Sequence, residues 1–290
     1  MKKICLILIL IILLTGCSLN KDSMENINIY TSTYPVNYLL DYLYGDNSKI
    51  YSIYPTGVNL DEYELSDRKL EEYSKSDLFV FNSLDKDRDY AVKMINLNSK
   101  LKVIDSALGM SYDYSVEELW LNPYNYLMMA ENIKNGLSEY ITNPYLISNK
   151  EKTGIEDKYQ ELEYNISKLD SDLTTTINEG KYKTIVVDND LFKYLEKYGL
   201  TVISLEENDS LSTNKINEVK KLISDKQISY IYSSNKESND TVKNIIKETN
   251  IELVTINTMR SIDGGITNTN DDYLTIMTNN INLLKKELYK

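Results

Sequence analysis

Apolar positions along the chain fall into two successions of short runs, each separated by stretches of helical spacing. In the first half, Ile27 to Thr31 and Lys49 to Tyr54 read as strands. Asp77 to Asn82 holds the unbroken run Leu78-Phe79-Val80-Phe81 of a strand covered on both faces, and Leu101 to Ile104 is another. Pro35 to Tyr44 is helical in pattern, as is the segment after Ser66, which is placed as an N-cap. The resulting βαβαβαβ order predicts a parallel sheet with helices on both faces. From Ile155 the apolar residues Tyr159, Leu162, Ile166, Leu169, Leu173 and Ile177 follow in steps of three and four. They predict one long amphipathic helix, softened at its start by Gly154 and stopped at Gly180. A coiled coil is the alternative. Beyond it, Thr184 to Val187, Thr201 to Leu205, Ile228 to Tyr232 and Ile251 to Ile256 read as strands. Helical segments at 190–197, 214–224 and 240–248 separate them, and a helix over Tyr273 to Leu288 closes the chain. The expected fold class is α/β, with two lobes, 27–145 and 181–290, each holding a parallel sheet flanked by helices, joined by one long rigid helix over 146–180. A ligand is expected in the cleft where the carboxyl ends of the two sheets meet.

Ahead of the lobes, Lys2 and Lys3 precede an apolar run from Ile4 to Leu14, the arrangement of a secretory leader too short to span a bilayer. Leu14-Thr15-Gly16-Cys17 resembles a bacterial lipoprotein processing site. That resemblance implies a signal peptide over 1–16, acylation of Cys17, a polar tether over 17–26, and residence on the extracytoplasmic face of a bacterial cell membrane with the lipid bilayer as partner.

Composition narrows the chemistry. The other cysteine, Cys5, lies in the leader, so no disulfide is expected in the folded body. Basic residues number 32 against 44 acidic, a net charge of −12, which argues against nucleic acid and for a cation as ligand. There is no histidine, which removes imidazole ligands and Ser-His-Asp catalysis together. An enzyme is not expected, since carboxylate and lysine chemistry alone remain.

Several segments then resemble, in order and over nearly the whole body, the extracytoplasmic substrate-binding lipoproteins of manganese, zinc and iron ABC transporters, the cluster A-I type. Thr33-Tyr34-Pro35 is similar to the opening motif of that family. Gly57-Val58-Asn59-Leu60-Asp61-Glu62-Tyr63-Glu64 resembles its Gly-x-Asp-Pro-His-x-Tyr-Glu loop, and Ser76-Asp77-Leu78-Phe79-Val80 its Ala-Asp-Leu-Val-Val strand. Glu118-Leu119-Trp120-Leu121-Asn122-Pro123 resembles His-x-Trp-Leu-Asp-Pro, and Phe192-Lys193-Tyr194 with Tyr198-Gly199-Leu200 resembles the stretch after the third ligand. The resemblance implies two lobes bridged by a rigid helix, capture of a divalent metal ion in the cleft, delivery to a membrane permease, and a monomer.

The ligand positions depart from the pattern. Asp61 and Glu118 stand where the first two histidines are usual, Asn189 stands at the third position, and Arg260, before Ser261-Ile262, stands at the acidic fourth. Asn257 replaces Arg260 if the alignment slips. Glu64, Asp188 and Asp190 are expected to brace the site. Two readings follow. Oxygen atoms of Asp61, Glu118 and Asn189 hold an ion, with Mn2+ or another divalent cation favoured over zinc. Alternatively the Arg260 guanidinium occupies the ion's place, paired with Asp61 and Glu118. The chain would then bind no metal and serve as an accessory or adhesin-like surface lipoprotein.

Overall fold

The computed structural model describes residues 24, 26–141, 149–235, 237–260 and 272–290, with their side chains except those of 149–153. Leader, Cys17 and most of the tether lie outside the described residues, as do Ser261 and Ile262. No described helix is long and apolar enough to cross a membrane.

The first sheet contains β1 (Ile27–Thr31), β2 (Ser48–Ser52), β3 (Leu78–Phe81) and β4 (Lys102–Asp105), all parallel in the order β2-β1-β3-β4. Its helices include α1 (Tyr34–Tyr44), α2 (Asp67–Tyr73) and α3 (Asp87–Leu97). All four residues of β3 are buried, because Leu78 and Val80 enter one core and Phe79 and Phe81 the other. That two-sided burial is why this strand lacks polar alternation. The short helix α4 (Glu118–Leu121) and the helix α5 (Pro123–Tyr140) follow, and then the linking helix α6 (Asn149–Glu179). The apolar positions anticipated along α6, from Ile155 to Ile177, are all buried against α5, α1 and the last helix.

The second sheet repeats the first, with β5 (Thr184–Val187), β6 (Thr201–Ser204), β7 (Tyr230–Ser233) and β8 (Glu252–Thr255) in the order β6-β5-β7-β8. Helices α7 (Thr213–Ser224), α8 (Asp240–Thr249) and α9 (Tyr273–Leu288) flank it. Two local expectations are corrected. Residues 190–198 wind as a 3-10 helix rather than an α-helix. Gly180 does end α6, but not through a left-handed turn: a Cβ there would meet Leu288 Cβ at 2.9 Å, so close packing on α9 requires the glycine.

One main core runs through both lobes, from Ile29 and Leu40 through Trp120, Tyr126 and Leu162 to Tyr232 and Tyr273. Tyrosine serves there where phenylalanine is scarce, and the hydroxyls of Tyr44, Tyr126, Tyr232 and Tyr273 each reach a backbone carbonyl. Tyr126 donates to Pro35 at 2.8 Å and Tyr273 to Trp120 at 2.7 Å, while their rings stack at 3.9 Å. Without such partners each hydroxyl would cost about 1–3 kcal/mol.

Candidate functional site

Between the lobes lies a cavity of about 680 Å³. The loop after β2 contributes Gly57 to Asp61, the turn before α4 contributes Glu117, the segment after β5 Leu191, the loop after β7 Ser234 and Asn235, and the end of β8 Thr255 to Arg260. Carboxyl ends of strands from both sheets therefore frame it, as expected for this class of sheet.

Arg260 crosses from the second lobe to three carboxylates of the first. Its Nη2 donates to Asp61 Oδ1 at 2.9 Å, its Nη1 to Asp85 Oδ2 at 2.5 Å, and its Nε lies 3.6 Å from Glu117 Oε1. The guanidinium side chain is 19% exposed. Burial alone would lower its pKa, but the charges of Asp85 and Glu117 and the hydrogen bonds to Asp61 and Asp85 outweigh that and raise it further, so the charge is permanent. A planar fork that reaches separate carboxylates at once is what distinguishes arginine from lysine.

The backbone that presents Arg260 is pinned from several sides. Asn280 of α9 clamps Asn257, accepting from its N–H at 3.1 Å and donating to its carbonyl at 2.8 Å. The Trp120 indole N–H donates to Thr258 O at 2.7 Å, which joins the lobes next to the cavity. Met259 adopts a left-handed φ of 56°, stabilised by its N–H on Asn257 Oδ1. Opposite, Asn59 Oδ1 accepts from Asp61 N–H at 3.1 Å and shapes the loop that holds Asp61.

Asp61 and Arg260 are thus brought together. Glu118 is not: it is 1% exposed and its carboxylate turns inward, accepting from the backbone N–H groups of Asp113, Tyr114 and Ser115. The cavity is lined instead by its neighbour Glu117, the residue before α4, because the helix start sets the two acids on different sides. Asn189 caps the 3-10 segment through Leu191 N–H and donates to Ser234 Oγ at 2.8 Å, so it meets the cavity only through Ser234. Asp188 holds the Ser233 hydroxyl and Ser234 N–H, with burial raising its pKa. Asp190 pairs with Lys193 at 2.7 Å; burial opposes its ionisation, but the hydrogen bonds from Lys193, Ser204 and Asn208 prevail and lower its pKa. Glu64 accepts from Tyr90 at 2.8 Å, away from Arg260. Asn257 lines the cavity, and its Oδ1 shapes the turn by accepting from Met259 N–H.

Asp85, absent from the sequence reading, makes the shortest contact to Arg260. A signal for it existed: Asn82-Ser83-Leu84-Asp85 directly follows β3, at the point between β1 and β3 where strand order reverses. Behind it, Asp87 is fully buried and accepts from the Tyr54 hydroxyl at 2.5 Å. Burial pushes its carboxyl up to about 6, with the Tyr54 bond opposing and the Asp85 charge reinforcing the shift.

Among the described residues no group of three or more acidic or cysteine side chains is arranged to hold a metal ion. The carboxylate oxygens explain this. Arg260 engages one oxygen of each acid, Lys86 N–H takes Asp85 Oδ1, and the Ser115 hydroxyl takes Glu117 Oε2. Asp61 Oδ2 is the one oxygen of these three acids with no protein partner among the described residues, and a divalent ion, which wants four to eight ligands, would have to compete with Arg260 for the others.

A family model described as ZnuA, zinc-uptake complex component A, periplasmic, matches residues 29–287. The zinc-binding lipoprotein AdcA of Streptococcus pneumoniae is 23% identical over 313 residues, an alignment that takes in 99% of this chain and 61% of AdcA, so the chain spans less than two thirds of that relative. The manganese-binding lipoprotein MntA of Halalkalibacterium halodurans is 25% identical over 224 residues, 72% of this chain and 73% of MntA. The crystal structure of the Zn(II)-bound ZnuA-like domain of Streptococcus pneumoniae AdcA superposes with a TM-score of 0.72 at 21% identity, covering 91% of this chain and all of that domain.

Proposed function

Because the chain belongs to the ZnuA family of zinc-uptake components, we propose that it is the extracytoplasmic solute-binding protein of an ABC uptake system, in which Arg260 takes the place of the divalent cation. The observation that carries this reading is the pairing of Arg260 with Asp61, Asp85 and Glu117 across the cleft. The guanidinium, 19% exposed, holds one oxygen of each of the three carboxylates from within the cleft. Entry of an ion would require breaking those pairs and leaving a buried arginine uncompensated, which is expensive. Acyl chains on Cys17 anchor the protein, a monomer, to the outer face of the membrane, and a membrane permease receives its cargo. Replacing Cys17 by serine should release the protein from the membrane fraction; retention there would remove the anchor.

The second reading is capture of a divalent ion in the same cleft after Arg260 swings out, and it is favoured by the zinc- and manganese-binding relatives. The released oxygens of Asp61, Asp85 and Glu117 form an all-oxygen set suited to Mn2+. Calorimetric titration separates the two. The wild type is expected to give no binding heat with Mn2+ or Zn2+ and no rise in melting temperature. Arg260→Asp and Arg260→Asn should melt lower than wild type and gain Mn2+ affinity at least a hundredfold. Stoichiometric metal binding by the wild type would establish the second reading instead.

A further inference from the structure

What the cleft takes, if Arg260 and not a metal holds it, follows from the groups left over. Three carboxylates against one guanidinium leave an excess of negative charge among the described residues, where the nearby cation Lys86 is engaged by Tyr63 O and Glu64. Asp61 Oδ2 has no partner among the described residues, and the Asp61 side chain, 73% exposed, lines the cavity. The rest of the polar wall is neutral, built from the amides of Asn59, Asn235 and Asn257 with the hydroxyls of Ser234 and Thr258. Under Arg260 a small hollow of about 10 Å³ adjoins the cavity through the shared residues Val58 and Leu60. It is lined by Thr33, 2% exposed, whose hydroxyl has no hydrogen-bond partner among the described residues.

A volume of about 680 Å³ is far larger than an ion needs and falls within the usual range of small-molecule sites, about 300–1,000 Å³. Anions meet the excess negative charge and are disfavoured. A bare divalent ion would have to take its carboxylate oxygens from Arg260. An ammonium group needs only hydrogen-bond acceptors, three at most, and can use Asp61 Oδ2 while Arg260 stays in place. We propose that the cleft binds a small organic cation through a primary ammonium group on Asp61, with its polar body held by the asparagine amides. This assignment rests on the reading that Arg260 fills the metal position.

The test is calorimetric titration of the full mature chain with putrescine, spermidine and L-lysine. D-glucose and succinate serve as neutral and anionic controls, and Mn2+ and Zn2+ are run in parallel. At least one amine is expected to bind, the controls are not, and Asp61→Asn should weaken the amine at least tenfold. That variant keeps an oxygen for Arg260 and sits at an exposed position, so its melting temperature should stay near that of the wild type. Absence of binding by all three amines, or equal binding to Asp61→Asn, overturns the assignment while the arginine-filled cleft stands if the metals are also silent. Metal binding by the wild type overturns the underlying reading as well.

Discussion

Asp87 shows how strongly a single buried group is coupled to the cleft. Its carboxyl, fully buried, titrates at about 6 against an ordinary value of 3.8. Below pH 3.8 both folded and unfolded forms are protonated and the residue costs nothing. As pH rises towards 6 the unfolded form ionises first, so stability falls and the full loss is present above 6. A displacement of that size corresponds to a loss on the order of 3 kcal/mol. Asp87→Asn keeps an oxygen for the Tyr54 hydroxyl and removes the ionisation. Urea unfolding at pH 4 and pH 7 should show the variant gaining about 2 kcal/mol on the wild type between them, because part of the loss is already present at pH 4; a constant difference would contradict the assignment. At this scale the sequence was only partly legible. Asp61 and Arg260 could be placed from the surrounding motif, because loop and strand end are anchored by recognisable neighbours. Glu117 and Glu118 could not be told apart, since one residue of helix rotation decides which acid faces the cleft and which caps backbone N–H groups. Asp85 was missed because an acid in a loop has no periodicity to mark it.

Among the elements, α5 went unassigned from sequence although Tyr126, Met129, Ala130, Ile133 and Leu137 carry helical spacing and are all fully buried. Asn122 caps its start, its side chain accepting from Tyr124 N–H at 3.1 Å, with Pro123 in the first turn. Gly136 lies inside this helix, where alanine would ordinarily be favoured by about 1 kcal/mol. A Cβ there, however, would meet three atoms of Ile104 on β4 at 2.8 to 2.9 Å. Ile104 is buried and branched at Cβ, so it cannot turn aside cheaply. Gly136→Ala should therefore destabilise, by roughly 1–3 kcal/mol in chemical denaturation. Adding Ile104→Val should recover part of that loss, and a stabilised single variant would show that the contact relaxes freely. The strands, by contrast, came out within a residue or two of expectation, since continuous apolar runs and their turn boundaries are local signals.

For the whole molecule, the shared core and the Trp120 to Thr258 bond make the lobes interdependent. Unfolding is expected as one transition in calorimetry, with calorimetric and van't Hoff enthalpies in agreement. Two resolved peaks would mean that each lobe stands alone. Trp120→Phe strands a buried carbonyl and should lower the melting point while leaving the single transition intact. Hydrophobic period, turn residues and motif order were enough to dictate two parallel sheets, their linking helix and the general position of the cleft, because element type is a local signal and the βα alternation leaves parallel pairing as its outcome. Which acids converge on Arg260 was settled only by tertiary structure. Asp61, Asp85 and Glu117 come from three separate loops, and their meeting with a residue far along the chain depends on helix rotation and lobe packing that no local pattern encodes.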